Sequence, residues 1–179
     1  MPFARELWIE REDFAELPPK GFHRLKPDGE VRLRGVGIIR CEQVLKDADG
    51  NVSELHCTLD PQSRHGMSGA ERKVKGTLHW VSARHAVAAE VRLYDRLFNV
   101  PAPDSEEDGK RWLDHVNPAA KRVVQAWLEP AAAAVAPEQR FQFERLGYFV
   151  ADRVDHCADA PVFNRSVTLR DTWAKQTGQ

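Results

Sequence analysis

Short segments in which apolar and polar residues alternate, with turn residues between them, constrain the fold of this chain most strongly. The clearest case is an alternating pattern over residues 31–46, interrupted by Gly35 and Gly37, which indicate a bend or bulge. Asp-Gly and Gly-Asn steps over residues 49–51 then supply the positive φ angles of a tight turn. Residues 52–59 complete the pattern, so the sequence predicts a β-hairpin here.

Other segments repeat this pattern along the chain. Residues 86–94 are ambiguous, because alanine favours a helix whereas the alternation favours a strand; the strand is preferred. Many short strands with turn signals between them predict an all-β barrel or sandwich. The further predictions are strands at 7–9, 73–81, 121–128, 141–150 and 162–169, a helical turn at 10–14, a short helix at 131–136, a loop at 60–71 and a linker at 101–109.

Composition limits the classes of protein that the chain can belong to. Its 179 residues suit one large or two small domains, and 42% hydrophobic residues can bury a core. A net charge of −1 excludes a globally basic nucleic-acid binder, so any electrostatic attraction must come from local clusters. Basic residues do cluster over 20–40 and 64–75, whereas acidic residues gather over 104–108.

Three cysteines without a Cys-x-x-Cys pair argue against a disulfide framework. The chain shows no signal peptide and no apolar run long enough to span a membrane. We therefore expect a cytoplasmic protein without membrane contact.

No pattern in the sequence identifies an active site. Histidine and cysteine are adjacent at 56–57 and again at 156–157, but neighbours on a strand face opposite ways and would not readily chelate one metal ion. Phosphate-loop and dinucleotide-binding patterns are missing. We expect no catalytic residue, metal or cofactor in this chain, although a Cys-His hydrolase stays open as a remote alternative.

Long hydrogen-bonding side chains occur on segments that otherwise resemble strands, and these favour RNA binding. The residues are Arg72, Lys75, Gln142 and Arg145. They could simply face water. They could also bind RNA, because glutamine and arginine can hydrogen-bond to the edges of unstacked bases and arginine to phosphates.

Six segments, in order, resemble the anticodon-binding region of bacterial-type glutaminyl-tRNA synthetases. The resemblance implies two tandem six-stranded β-barrels, similar to ribosomal protein L25, with exchanged first strands and a few short helices. It also implies a first barrel region over 1–105 and a second over 106–179. The matching segments are residues 2–14, 30–34, 72–81, 90–98, 141–149 and 162–175.

Candidate RNA contacts follow from the same resemblance. By their motif positions, Arg5, Gln142 and Arg145 would surround the middle anticodon base, a uracil. Arg72 matches a contact near the first anticodon base, and Gln62 and Arg64 lie in the loop that reads the third.

The family's catalytic domain carries the ATP and glutamine sites, and its motifs are not found in this chain. We therefore expect the partners to be the anticodon loop of glutamine tRNA and a synthetase catalytic half, with the module itself a monomer. ATP would bind only to that catalytic half.

Two other interpretations stay open. One is the related module of an archaeal- or eukaryotic-type glutamyl-tRNA synthetase, although the segment 164–175 favours the glutamine enzyme. The other is a barrel that binds ribosomal RNA or a protein partner.

Overall fold

The computed structural model describes residues 1–105 and 109–169, and strands dominate them. Their helical structure consists of short 3-10 turns, at Arg11–Asp13, Pro61–Ser63, Trp112–His115 and Pro130–Ala132. The predicted all-β class is confirmed. The strands are β1 Leu7–Trp8, β2 Glu30–Leu33, β3 Gly37–Lys46, β4 Val52–Asp60, β5 Thr77–Leu78, β6 Val81–Ser82, β7 Val87–Tyr94, β8 Lys121–Leu128, β9 Arg140–Phe143, β10 Gly147–Ala151 and β11 Val162–Val167.

The chain forms two compact units, Met1–His85 and Ala86–Gln179. In the first unit, β4, β3, β2 and β5 form a four-stranded sheet in that order, and β1 pairs with β6 in a separate two-stranded sheet. The predicted hairpin is confirmed, because β3 and β4 pair antiparallel around the turn at residues 47–51.

Alternate residues of these strands face inward and form the core of the first unit. Val31 and Leu33 of β2 are buried with Ile39 and Cys41 of β3, while intervening side chains such as Arg32 face outward. Because a strand's side chains alternate between faces, burying one set leaves the other available for binding. Phe14, Leu25 and Leu78 complete this core.

In the second unit, a five-stranded sheet has the order β8-β7-β11-β10-β9. β7 and β11 pair in parallel, whereas the other neighbours pair antiparallel. An aromatic cluster fills the core: the rings of Phe143 and Phe149 stack with centroids 4.4 Å apart, and Phe163 packs edge-on against Phe143 at 5.4 Å. This cluster holds β9, β10 and β11 together.

The two long alternating segments that we predicted as single strands are hairpins. Residues 34–36 separate β2 from β3, and residues 144–146 separate β9 from β10. In each turn the middle residue adopts a left-handed conformation and reverses the chain. The alternation continues through the turn at 144–146, so the pattern alone could not show that reversal, whereas Gly35 had indicated a bend at the other turn.

Two further predictions were only partly correct. The segment 73–81 contains only the short strands β5 and β6, because the chain leaves β2 after Leu78 and pairs next with β1. The helix predicted over 131–136 is a single 3-10 turn at Pro130–Ala132. The strand predicted at 121–128 is confirmed as β8, and residues 106–108 of the predicted linker lie outside the described residues.

The compact units divide between His85 and Ala86, ahead of the boundary at 105/106 suggested by the resemblance. The physical reason is pairing: β7 hydrogen-bonds to β8 and β11, so it belongs with the second unit. Closure of either unit into a six-stranded barrel and exchange of first strands stay predictions, as does the assignment of 1–105 and 106–179 to separate barrels. Within the described residues, no helix is both long and apolar enough to cross a membrane.

Candidate functional site

The β9–β10 hairpin carries two of the predicted RNA contacts on its outer surface. Phe141 and Phe143 turn toward the core, so Gln142 between them faces solvent. Directly across the hairpin, Gln142 pairs with Tyr148, whose side chain is 48% exposed. The aromatic core thus fixes the strand that presents the Gln142 amide.

Arg145 stands at the tip of the same hairpin. Its φ is 66°, a left-handed conformation, and the Leu146 amide donates to the Phe143 carbonyl at 3.0 Å to close the turn. Gly147 follows, with φ of 149°, and any side chain there would collide with the carbonyl oxygen of Val167. Arg145 is therefore exposed at the tip of a tight turn.

A shallow groove of about 390 Å³ lies beside Gln142. Its lining includes Arg140, Tyr148 and Ser166, which together offer a cation, an aromatic ring and a hydroxyl. Sequence reasoning did not single out Tyr148. The signal was available, because the alternation that places Phe149 inward places Tyr148 outward.

In the first unit, Gln62, Arg64 and Arg72 lie on or at the end of one ordered loop. Buried Ser63 anchors its start: the Ile38 amide donates to the Ser63 hydroxyl at 2.7 Å, and that hydroxyl donates to the Asp60 carbonyl at 2.6 Å. The Gly69 amide closes the loop by donating to the Gln62 carbonyl at 2.9 Å. This polar segment therefore has a defined shape despite its lack of regular structure.

The three side chains differ in their surroundings. Gln62 accepts a hydrogen bond from the Ser68 hydroxyl at 3.3 Å. Arg64 is exposed, and its guanidinium has no polar partner among residues 1–105 and 109–169. Both are accessible to a ligand.

Arg72 is held by two carboxylates. Its guanidinium donates to Glu30 at 2.6 and 3.3 Å and to Asp60 at 3.0 Å. The hydrogen bonds to Glu30 and then to Asp60 raise the pKa of Arg72, so the group stays charged. Three of the five guanidinium N–H donors are used. The remaining donors have a fixed direction and could meet an incoming acceptor.

Arg5 lies just before β1, on a segment anchored by Trp80. The Trp80 ring meets Phe3 edge-on at 5.6 Å, and its indole N–H donates to the Arg34 carbonyl at 3.0 Å. Trp80 also packs against the first core. The exposed Arg5 guanidinium has no polar partner in the part of the chain that the structure describes.

The structure thus groups the predicted contacts within each unit. Gln142 and Arg145 share one hairpin of the second unit, while Gln62, Arg64 and Arg72 share one loop region of the first. Arg5 belongs to the first unit. The expectation that Arg5, Gln142 and Arg145 surround one base stays a prediction.

The surroundings of the adjacent histidine and cysteine residues, at 56–57 and 156–157, indicate structural roles. Buried His156 hydrogen-bonds through Nδ1 to the Val162 backbone and through Nε2 to the Val135 carbonyl. Desolvation, followed by the contributions of Cys41 and Glu42, raises the pKa of the Cys57 thiol to about 12, although Cys57 is an exposed residue. A protonated thiol is a poor nucleophile, so this pair gives the hydrolase alternative no support.

Comparison with known families gives two matches. Residues 1–60 and residues 77–152 each match a family model described as "tRNA synthetases class I (E and Q), anti-codon binding domain". The first region contains Arg5 and the second contains Gln142 and Arg145, whereas Gln62, Arg64 and Arg72 lie between the two matches.

Curated relatives cover nearly the whole chain. A glutamine--tRNA ligase of Xanthomonas euvesicatoria pv. vesicatoria (strain 85-10) is 69% identical over 98% of the chain. A glutamine--tRNA ligase of Xylella fastidiosa (strain M12) is 66% identical over the same share. The chain spans only 30% of the length of each of these relatives.

Proposed function

We propose, since this chain belongs to the anticodon-binding domains of the class I tRNA synthetases (E and Q), that it binds the anticodon loop of glutamine tRNA. The high identity to proteins named glutamine--tRNA ligase supports glutamine as the specificity. The observation that carries the proposal is the β9–β10 hairpin, where Gln142 and Arg145 are exposed above an aromatic core.

In the second unit, recognition of the middle base would use hydrogen bonds and stacking. The Gln142 amide can donate and accept, as the Watson–Crick edge of uracil requires. The Arg145 guanidinium can donate to a carbonyl oxygen or a phosphate. Tyr148, across the hairpin from Gln142, offers an exposed ring on which an unstacked base could lie.

In the first unit, Arg72 would contact the first anticodon base and the loop carrying Gln62 and Arg64 would contact the third. Arg5 would contribute to the middle base. Lys73 and Lys75, exposed beside Arg72, would meet phosphates. Phosphate contacts position a nucleic acid, whereas contacts to base edges specify it.

Anticodon binding would support ATP-dependent aminoacylation by a catalytic part outside this chain. The relatives are about three times longer than the matched region, which leaves ample length for such a part. Correct anticodons would contribute binding energy that the rest of a synthetase can use to orient the acceptor end. A cytoplasmic monomer stays our expectation.

The alternative is the glutamate-specific enzyme, because the matching family description covers both E and Q. The names of the relatives favour glutamine. A ribosomal RNA-binding module is a third possibility, with a different RNA target.

Binding assays on the full chain separate these alternatives. The probes are anticodon stem-loops of glutamine and glutamate tRNA and a 5S ribosomal RNA fragment, compared at one salt concentration. We expect the glutamine stem-loop to bind most tightly. Equal affinity for all three RNAs, or preference for the ribosomal fragment, would overturn the proposal.

A further inference from the structure

Arg32, on the outer face of β2, ties together distant parts of one loop. Its Nη1 donates to the Ser63 carbonyl at 2.9 Å, and its Nη2 donates to the carbonyls of Ala70 and Arg72 at 3.1 and 2.8 Å. Ser63 lies where the loop begins, and Ala70 and Arg72 lie where it ends. A single guanidinium therefore bridges the two ends, in addition to the backbone hydrogen bond from Gly69 to Gln62.

Glu30 lies two residues before Arg32 on the same strand, so both side chains leave the same face of the sheet. Glu30 accepts two hydrogen bonds from the Arg72 guanidinium. The outer face of β2 thus holds the loop backbone through Arg32 and the Arg72 side chain through Glu30.

β9 is the strand of the second unit that corresponds to β2, and its residue at the position of Arg32 has different surroundings. Arg32 pairs with Ile38 across its hairpin, and Gln142 pairs with Tyr148 at the matching place in the other. Gln142 faces an open groove, whereas Arg32 faces the chain's own carbonyls. Arg32 is therefore placed to organise other recognition residues.

We propose that Arg32 is a positioning residue that sets discrimination at the first and third anticodon bases through the loop carrying Gln62, Arg64 and Arg72. The inference rests on the proposed function. Recognition side chains discriminate only when their supporting contacts hold them in place. Arg32 donates from two nitrogens that the planar guanidinium holds apart, whereas a lysine ammonium has all three donors on one nitrogen, so lysine keeps the charge but not this spacing.

The test measures dissociation constants of the full chain and its Arg32→Lys variant for five glutamine anticodon stem-loops. One stem-loop is cognate, one each is changed at the first, middle or third base, and one has a scrambled anticodon. We expect discrimination at the first and third bases to fall about tenfold, while discrimination at the middle base stays within about twofold.

Arg40→Lys is the matched control. Arg40 lies on β3 of the same unit, and its ion pairs within residues 1–105 and 109–169 are both long, to Asp28 at 3.7 Å and Glu42 at 3.8 Å. This variant should leave discrimination at every base unchanged.

A second variant, Glu30→Gln, keeps the test decisive if Arg32→Lys unfolds. This substitution weakens the hydrogen bonds that hold the Arg72 side chain and leaves the hydrogen bonds to the loop carbonyls in place. The loss of discrimination should therefore be confined to the first base. Equal losses of discrimination at all three bases, or unchanged discrimination in both variants, would overturn the inference. If the unchanged chain fails to distinguish cognate from scrambled loops, the proposed function fails instead.

Discussion

Arg145 occupies, in the second unit, the left-handed turn position that Gly35 occupies in the first, with φ angles of 66° and 70°. The flanking registers match as well, because Leu33 pairs with Gly37 and Phe143 pairs with Gly147. Glycine adopts this conformation without strain, whereas a residue with a side chain is destabilised by about 1–2 kcal/mol. The proposed RNA contact would give the Arg145 side chain a use at this exposed turn.

Replacing Arg145 by glycine should separate binding from folding. The Arg145→Gly variant relieves the left-handed strain, so its free energy of unfolding in urea should stay equal to that of the parent or rise by about 1 kcal/mol. Binding to the glutamine anticodon stem-loop should weaken by roughly 1–3 kcal/mol, with discrimination lost at the middle base. A variant that loses stability but keeps discrimination would contradict the role proposed for Arg145.

Lys73→Ala provides the contrast for a phosphate contact. Lys73 is exposed beside Arg72, and removing its charge should reduce the slope of log affinity against log salt by about 1. Preference among the three anticodon bases should not change. Altered base preference in this variant would show that Lys73 contacts a base edge.

Tyr148 should contribute through its ring. Tyr148→Leu removes the aromatic surface and should weaken stem-loop binding by about 1–3 kcal/mol, the range for base–aromatic stacking. Tyr148→Phe keeps the ring and should bind almost as the parent does. If the phenylalanine and leucine variants lose affinity equally, the hydroxyl and not the ring makes the contact.

Gly76 should tolerate no side chain, because a Cβ would collide with the carbonyl oxygen of His23 and lie 3.1 Å from Val31 Cγ1. The Gly76→Ala variant should lose about 1–3 kcal/mol of unfolding free energy, as overpacked substitutions do. Gly21→Ala is the comparison: open space surrounds that position, and its φ of 83° makes conformation the only cost. Urea denaturation of both variants measures the difference, and no loss for Gly76→Ala would refute the close contact.

Asp152 should make stability depend on pH in acid. Hydrogen bonds from the Asp155 amide, the Asn164 side chain and the Val154 amide lower its pKa from 3.8 to about 2, with Arg92 contributing. A depressed pKa stabilises the fold above pH 3.8, and this stabilisation, about 1–2 kcal/mol, is lost as pH falls toward 2.

The Asp152→Asn variant tests this effect. Asparagine can still accept the backbone hydrogen bonds but carries no charge, so the variant should lose less stability than the parent between pH 4 and pH 2. Urea midpoints across that window provide the measurement. Asp159→Asn changes an exposed residue in the same loop between β10 and β11, and its urea midpoints should change with pH as those of the parent do. Parallel curves for Asp152→Asn and the parent would contradict the assignment.

Local chemistry was sufficient to predict some elements. The Asp-Gly-Asn turn predicted the β3–β4 hairpin, and alternation predicted β7 even where alanines favoured a helix. The turn at 34–36 falls where Gly35 had indicated a bend or bulge, whereas the turn at 144–146 was missed because it does not interrupt the alternation. Nothing in the identity of Arg145 signals a left-handed φ.

The residues of the candidate site were predicted from the resemblance, and the structure showed which other side chains contact them. The contacts of Arg32 cross 31 to 40 residues of sequence, a separation that no local pattern encodes. The same is true of the carboxylates that hold Arg72, since Glu30 lies 42 residues away. Candidate RNA contacts thus followed from the sequence, whereas tertiary structure was needed to find the side chains that hold Arg72 and its loop.

The most direct measurement compares binding of the full chain to the glutamine anticodon stem-loop and to the same loop with its middle uridine changed to cytidine. We predict that the change weakens binding by about 1–3 kcal/mol in the parent chain and by much less in Arg145→Gly. Equal affinity of the parent chain for the two loops would contradict recognition of the anticodon by this protein.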